Sequence, residues 1–180
     1  MHTVRLKGLS IAYRKEGNGP ALVLLHGFTQ DSRIWNEQVG FLSKYFTVIA
    51  WDAPGAGQSA DPPDSFNITN WADCLAGVLD SAHINQAHIL GLSWGSLLAQ
   101  EFYHRYPERV LSLILAGGYA GWAGSLSDSI AKMRLAACIH DSELPPAEFV
   151  PKYLPGMFSE SVRHETRETL SKIMGIIFTR

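Results

Sequence analysis

Short apolar runs alternate with amphipathic ones along the first two thirds of the chain. The runs at residues 3–6, 9–15, 21–25, 46–51, 87–90 and 110–116 predict strands. The first two flank Lys7-Gly8 and read as a hairpin. The later ones, ALVLL, FTVIAW, AHIL and VLSLILA, are almost unbroken apolar stretches, the pattern of strands covered on both faces. Helical periodicity separates them at residues 35–42, 71–83 and 96–106. The class that follows is α/β, a mostly parallel sheet flanked by helices. From Tyr119 the pattern changes to a glycine-rich loop and helical segments around residues 127–139, 146–153 and 161–178, with no strand among them. The expected organisation is a sheet core over residues 1–122 and a helical lid over residues 123–180.

Composition narrows the function. At 46% hydrophobic and 18% charged, 180 residues can bury a core of ordinary size. A net charge of −2 with scattered Lys and Arg offers no basic field, so no nucleic acid and no anionic membrane is expected as a partner. No apolar stretch approaches the roughly 20 residues of a membrane span, and the first residues hold none long enough for a signal peptide, which points to a cytoplasmic protein. Cys74 and Cys138 stand apart without ligand spacing and read as buried or free thiols; no metal is expected.

The chemistry concentrates at Gly91-Leu92-Ser93-Trp94-Gly95, where an apolar strand gives way at once to a helical pattern. A serine hydroxyl is a poor nucleophile unless it is held out, unhindered, beside a base, and a tight strand-to-helix turn does the holding. Such a turn brings its flanks so close to strand and helix that the positions two before and two after tolerate little beyond glycine. The helix beginning near Trp94 also aims free N–H groups at negative charge developing beside Ser93. The pentapeptide alone is weak, since a shuffled chain of this composition carries G-x-S-x-G in roughly one case in eight. Its placement supplies the specificity.

Two more loops fall at the same end of the predicted sheet: His26-Gly27-Phe28 after ALVLL, and Asp52-Ala53-Pro54-Gly55-Ala56-Gly57-Gln58-Ser59 after FTVIAW. In this order and spacing, HGF, DAPGAGQS and GLSWGS resemble the α/β-hydrolase superfamily over about residues 9–125. GLSWGSLLAQEFYHRYPERVLSLILAGGYAGW is most similar to esterase- and lactonase-type hydrolases with a helical cap. The resemblance implies Ser93 as catalytic nucleophile, Gly91 and Gly95 as the glycines of its turn, and the backbone N–H groups of Phe28 and Trp94 as the oxyanion hole. It implies a small apolar ester or lactone as substrate and a seryl acyl-enzyme, which requires no cofactor. Haloalkane dehalogenases and epoxide hydrolases place Asp where Ser93 stands. Phe28, Trp35, Trp94, Tyr119, Trp122 and Met133 are candidates for an apolar acyl pocket, with plain core as the competing reading.

The same resemblance implies an acid and a histidine after further strands, in the order nucleophile, acid, histidine. Neither strand is present in residues 1–180. His104 lies eleven residues along a helix from Ser93, about 16 Å away. His88 lies about 16 Å down the strand toward the wrong end of the sheet, the end to which His83 also belongs. His2 precedes the first strand. His26 is near enough to be weighed as a base, but the resemblance makes it a residue that shapes the oxyanion loop. His140 and His164 belong to the lid, where a solvated face is the preferred reading. Asp52 reads as a turn residue. The expectation is therefore an N-terminal portion of a serine hydrolase lacking its acid and histidine. The alternatives are a non-catalytic hydrolase-fold protein binding a small ligand or partner chain, and a complete enzyme using His140 or His164. Leaving strand 110–116 at the edge, beside an apolar tail of Ile173, Met174, Ile176, Ile177 and Phe178, also predicts self-association through that edge.

Overall fold

Lys7 and Gly8 both adopt positive φ, 49° and 85°, in the computed structural model of the protein, which describes residues 1–157, 159, 161 and 164–177. Two left-handed residues in succession make a tight two-residue hairpin, and β1 (His2–Leu6) pairs antiparallel with β2 (Leu9–Glu16) with Leu6 opposite Leu9. The remaining strands are β3 (Ala21–Leu25), β4 (Thr47–Trp51), β5 (Ala87–Leu92) and β6 (Val110–Ala116). Among the described residues they form one sheet in the order β1-β2-β4-β3-β5-β6, antiparallel on the β1-β2-β4 side and parallel from β4 to β6.

Strand alternation sends Val23, Leu25, Ile49, Trp51 and Ile89 to one face, where α2 (Ile68–Ser81) and α3 (Trp94–Arg105) bury them. Leu22, Leu24, Val48 and Ala50 go to the other, against Trp35 and Val39 of a 3-10 turn (Ser32–Trp35) and α1 (Asn36–Leu42). Each fully buried Val, Leu or Ile among them contributes about 1.5–3 kcal/mol relative to exposure. Helix α2 starts three residues before its periodicity predicts because Asn67 caps it. The Asn67 side chain accepts from the N–H groups of Thr69 and Asn70, and Asn70 Oδ1 accepts from the Asn67 N–H at 3.0 Å.

The parallel register sets Leu25 beside Gly91 and Leu92 beside Ala116, so the loops leaving β3, β5 and β6 emerge together at one end of the sheet. Strand β6 is the edge. Leu111, Ile114 and Leu115 are 50%, 46% and 41% exposed, so the apolar run predicted for a doubly covered strand is uncovered here among the described residues.

The chain divides into two compact units, Met1–Tyr119 and Ala120–Arg180. The second consists, among its described residues, of helices joined by short connections: α4 (Gly121–Ser125), α5 (Asp128–Ser142), α6 (Pro146–Tyr153), a short 3-10 turn (Leu154–Met157) and α7 (His164–Ile177). Asp141 on α5 is buried and ties α5 to α6 by accepting from Lys152 Nζ at 2.6 Å and from the Tyr153 hydroxyl. That hydrogen bond to a carboxylate pushes the Tyr153 phenol up to about 12. Of the apolar tail expected on the last helix, Met174 is fully buried and Phe178 lies outside the described residues. Among the described residues no helix is long and apolar enough to cross a membrane, and both cysteines are free.

Candidate active site

Ser93 joins β5 to α3 with φ 51° and ψ −114°, a backbone conformation that L-residues adopt only when their surroundings impose it. The imposing contacts are backbone on both sides. A Cβ on Gly91 would lie 2.2 Å from the Gly95 carbonyl oxygen and 2.7 Å from Ser96 Cα. A Cβ on Gly95 would lie 2.4 Å from the Leu25 carbonyl oxygen and 2.7 Å from that of His26. The turn is thus pressed between the start of its own helix and the end of β3, and both glycines are sterically required. Three hydrogen bonds hold it: the Ser93 N–H donates to the Ala116 carbonyl at the end of β6 at 2.9 Å, and Ser96 donates both its N–H and its hydroxyl to the Ser93 carbonyl, at 2.8 and 2.6 Å. Ser93 itself is exposed, and its hydroxyl has no hydrogen-bond partner among the described residues. Trp94 opens α3, so its N–H is one of the free donors at the positive end of a twelve-residue helix.

The loop after β3 runs alongside. Gly27 approaches the turn closely enough that a Cβ on it would sit 3.5 Å from the Leu92 carbonyl oxygen. Its own N–H is taken by Gln30 Oε1 at 3.0 Å, which leaves the Phe28 N–H as the next donor along the loop. Phe28 is 55% exposed, and Thr29 beyond it is again left-handed, φ 61°, with its hydroxyl donating to the Phe28 carbonyl at 2.6 Å. For a β-branched residue that φ is a genuine strain. The role of Gln30 was not apparent from residue type; the three-residue Gly27-to-Gln30 spacing, suited to a side chain closing a tight turn, was the available signal.

Beneath this loop lies a buried polar cluster. His26 is 3% exposed; its Nε2 accepts from the Ala53 N–H at 3.1 Å and its Nδ1 faces the Gly27 carbonyl at 2.8 Å. Burial lowers its pKa below the ordinary 6.5, against smaller upward pulls from the hydrogen bond to the Gly27 carbonyl and from Asp52 and Asp31. With both nitrogens engaged by backbone, the ring packs the loop and is not available as a base. Asp52 is buried and accepts from the N–H groups of Ser32 at 2.9 Å and Gln58 at 2.7 Å. It fills the space a side chain at Gly57 would need, consistent with a turn residue. Asp31 is fully buried, caps the 3-10 turn and pairs with Arg33.

The other histidines stand elsewhere. His88 bonds the Ser112 hydroxyl at 2.8 Å, His2 stacks on Tyr13, and His164 faces Glu168 across one turn at 3.7 Å with 84% of its side chain exposed. His83, His104 and His140 are exposed. None hydrogen-bonds Ser93. Of the aromatic pocket candidates, Trp35 belongs to the core under α1, Trp94 packs edge-on against Trp71 at 5.9 Å, and Met133 is 65% exposed. No group of three or more His, Cys, Asp or Glu side chains among the described residues is arranged to hold a metal ion.

A family model for the alpha/beta hydrolase fold matches residues 20–179. An uncharacterized protein of Mycobacterium tuberculosis is 33% identical over 150 residues, which are 83% of this chain and 43% of that protein. Among solved structures, a thermophilic esterase from Thermogutta terrifontis superposes with a TM-score of 0.83 at 26% identity, covering 96% of this chain and 64% of that one. Est816, described as an N-acyl homoserine lactone degrading enzyme, gives 0.79 at 25% identity, covering 99% and 66%. The chain therefore spans under half the length of the mycobacterial relative and about two thirds of the two enzymes.

Proposed function

The chain belongs to the alpha/beta hydrolase fold family, and from that premise we propose that it carries the nucleophile and oxyanion hole of a serine hydrolase acting on an ester, a lactone or a related acyl bond. The observation that carries this reading is Ser93. Its exposed hydroxyl is held at positive φ on a strand-to-helix turn whose two glycines meet backbone on both sides. Strain of this kind persists only where its surroundings over-determine it, and functional sites are where it collects. The esterase and lactone-degrading structures reported above support the acyl bond as the target class.

In the proposed reaction, Ser93 Oγ attacks the acyl carbon and gives up its proton to a base. Negative charge moves onto the carbonyl oxygen, where the Phe28 and Trp94 N–H groups receive it. Collapse expels the alcohol, leaving the acyl group on Ser93, and water then releases the acid and regenerates the serine. His26 is excluded as the base by its two backbone bonds. The base and its supporting acid are proposed to come from chain beyond residue 180, a reading supported by the fraction of the two enzymes' length that this chain covers.

A second reading, a hydrolase scaffold that binds without turnover, is favoured by the absence of any histidine bonded to Ser93 among the described residues. Treating the chain with a 4-nitrophenyl alkylphosphonate and locating the adduct by mass spectrometry separates the two. Labelling at Ser93, absent in Ser93→Ala, supports the nucleophile; labelling elsewhere or nowhere overturns it.

A further inference from the structure

The segment that leaves β6 is tied to the nucleophile helix at both of its ends. At the near end the Ala116 carbonyl accepts from the Ser93 N–H at 2.9 Å. At the far end Gln100, in the second turn of α3, donates from Nε2 to the Tyr119 carbonyl at 3.1 Å and to the Ser96 carbonyl at 3.0 Å. A side-chain amide nitrogen carries two hydrogens, so both carbonyls are served at once. Ser96 closes the circuit, because its N–H and hydroxyl both reach the Ser93 carbonyl. Ser93, Ala116, Tyr119, Gln100 and Ser96 are thus members of one hydrogen-bonded ring. Inside the ring lie Gly117 and Gly118, neither of them in a helix or strand, and Gly117 adopts φ 60° with open space where a Cβ would be. Two successive glycines have wide backbone freedom, so the course of this stretch depends on how its ends are held.

The stretch borders the nucleophile. Ala116 is the register partner of Leu92 and the bond partner of Ser93, so residues 117–119 continue past the turn at the end of the sheet where the loops emerge. Sharing the Gln100 nitrogen brings the Tyr119 carbonyl beside that of Ser96, one turn along the helix from Ser93. Gly117 and Gly118 are exposed and present no side chain, which lets a ligand approach the backbone closely. Ser93 itself does not need Gln100: its N–H and its carbonyl have their own partners in Ala116 and Ser96. We propose that Gln100 is a positioning residue for substrate selection, which pins the Tyr119 carbonyl to α3 and so fixes residues 117–119 as a wall against which the alkyl part of the acyl group lies. The proposal rests on the nucleophile reading above. Gln100 touches neither substrate nor Ser93; it acts through the segment it pins.

The test compares the wild-type chain with three substitutions. Gln100→Leu removes the donors at similar size. Gln100→Glu keeps the shape but sets a carboxylate oxygen against two carbonyls. Gln100→Lys supplies an ammonium group that donates to both. Each is reacted with 4-nitrophenyl hexylphosphonate and with the methylphosphonate counterpart. The Ser93 Oγ–phosphorus bond forms, the aryl oxygen–phosphorus bond breaks, the serine proton passes to solvent and nitrophenolate leaves. With the hexyl probe, the half-saturating concentration is expected to rise about tenfold in the Leu and Glu variants and to stay within about twofold in Lys, as for two hydrogen bonds lost or kept. The labelling rate at saturation is unchanged in all, and the methyl probe shows no difference, a split that general destabilisation would not produce. Deuterium uptake by the backbone amides of residues 117–121, read by mass spectrometry, is faster in Leu and Glu than in wild type and Lys. Labelling of Ser93 with one half-saturating concentration across all four chains, or with an equal rise for both probes, overturns the selecting role alone. Uptake unmoved in Leu and Glu overturns the pin itself. No adduct at Ser93 in the wild type overturns the nucleophile reading and substrate selection with it. Where Leu fails to fold, the Glu and Lys pair decides.

Discussion

Gly91 and Gly95 approach each other so closely that a Cβ on the first would sit 2.2 Å from the carbonyl oxygen of the second. The obstructing atoms are backbone, so neither side-chain rotation nor local repacking makes room. Gly91→Ala and Gly95→Ala are each expected to lower unfolding free energy by about 3 kcal/mol or to prevent folding, the upper range for overpacking. Urea unfolding followed by circular dichroism checks this; a midpoint unmoved by either substitution contradicts the turn geometry.

Relief of strain at the turn works in the opposite sense. Ser93 adopts φ 51° without a glycine's freedom, and a residue in such a region stores about 1–3 kcal/mol. Ser93→Gly is expected to raise stability by about 1 kcal/mol while abolishing phosphonate labelling. Ser93→Ala is expected to abolish labelling with stability nearly unchanged. A destabilised Ser93→Gly chain argues against strain at this position.

Asp52 receives two backbone N–H groups, from Ser32 and Gln58, at a buried site. Asp52→Ala strands both donors, and bonds to a charged acceptor contribute about 1.5–3 kcal/mol each before compensation. The expected loss is about 3 kcal/mol by urea denaturation. An effect under about 1 kcal/mol would mean that water replaces the carboxylate without cost.

The pH dependence of stability follows from His26. Its folded pKa is lowered by burial below the ordinary 6.5, so below that value the unfolded chain binds a proton the folded chain refuses. Stability is full above the unfolded pKa and falls as pH drops from about 6.5 toward the folded value. Asp73 and Asp141, whose carboxyls are held below their ordinary 3.8 by Lys7 with Tyr106 and Arg105, and by Lys152 with Tyr153, lose stability in a separate and more acidic window. Urea midpoints measured between pH 7.5 and 5, with His26→Asn removing the slope, check the assignment; an unchanged slope in that variant places the proton elsewhere.

The uncovered β6 edge predicts association of two copies. Its run VLSLILA has no charge and no proline to block strand pairing, and Leu111, Ile114 and Leu115 are substantially exposed. Light scattering on the 180-residue chain is expected to report dimers or larger species, and Ile114→Lys to shift them toward monomer. The same material is expected to hydrolyse a small aryl ester only at a residual level, about 10³–10⁴ over water, as hydrolases lacking a triad member do. A monomer with fast multiple turnovers lost on His140→Ala or His164→Ala points instead to a lid-histidine enzyme.

Much of this protein was legible in the sequence because the signals were local. A doubly buried strand must be apolar throughout, so ALVLL and FTVIAW announced β3 and β4. A serine between glycines at a strand-to-helix junction announced the turn; the turn's own backbone demands Gly91, whereas Gly95 is demanded by the distant carbonyls of Leu25 and His26. Where local signals were weak, boundaries slipped: α2 begins at Ile68 because of the Asn67 cap, and β5 runs on to Leu92, through Gly91. Other features were decided only when distant segments met. Strand order departs from chain order, and hydrogen-bond partners are chosen by that register. Residue type alone left His26 open as a base; the Ala53 N–H, 27 positions away, binds its Nε2 and closes that role. Gln30, unremarkable as a loop residue, acquires a function because the chain folds back to bring Gly27 to it. The apolar run of β6 told of a strand, but whether that strand is covered depends on neighbours in space, and among the described residues it has one neighbour only, β5.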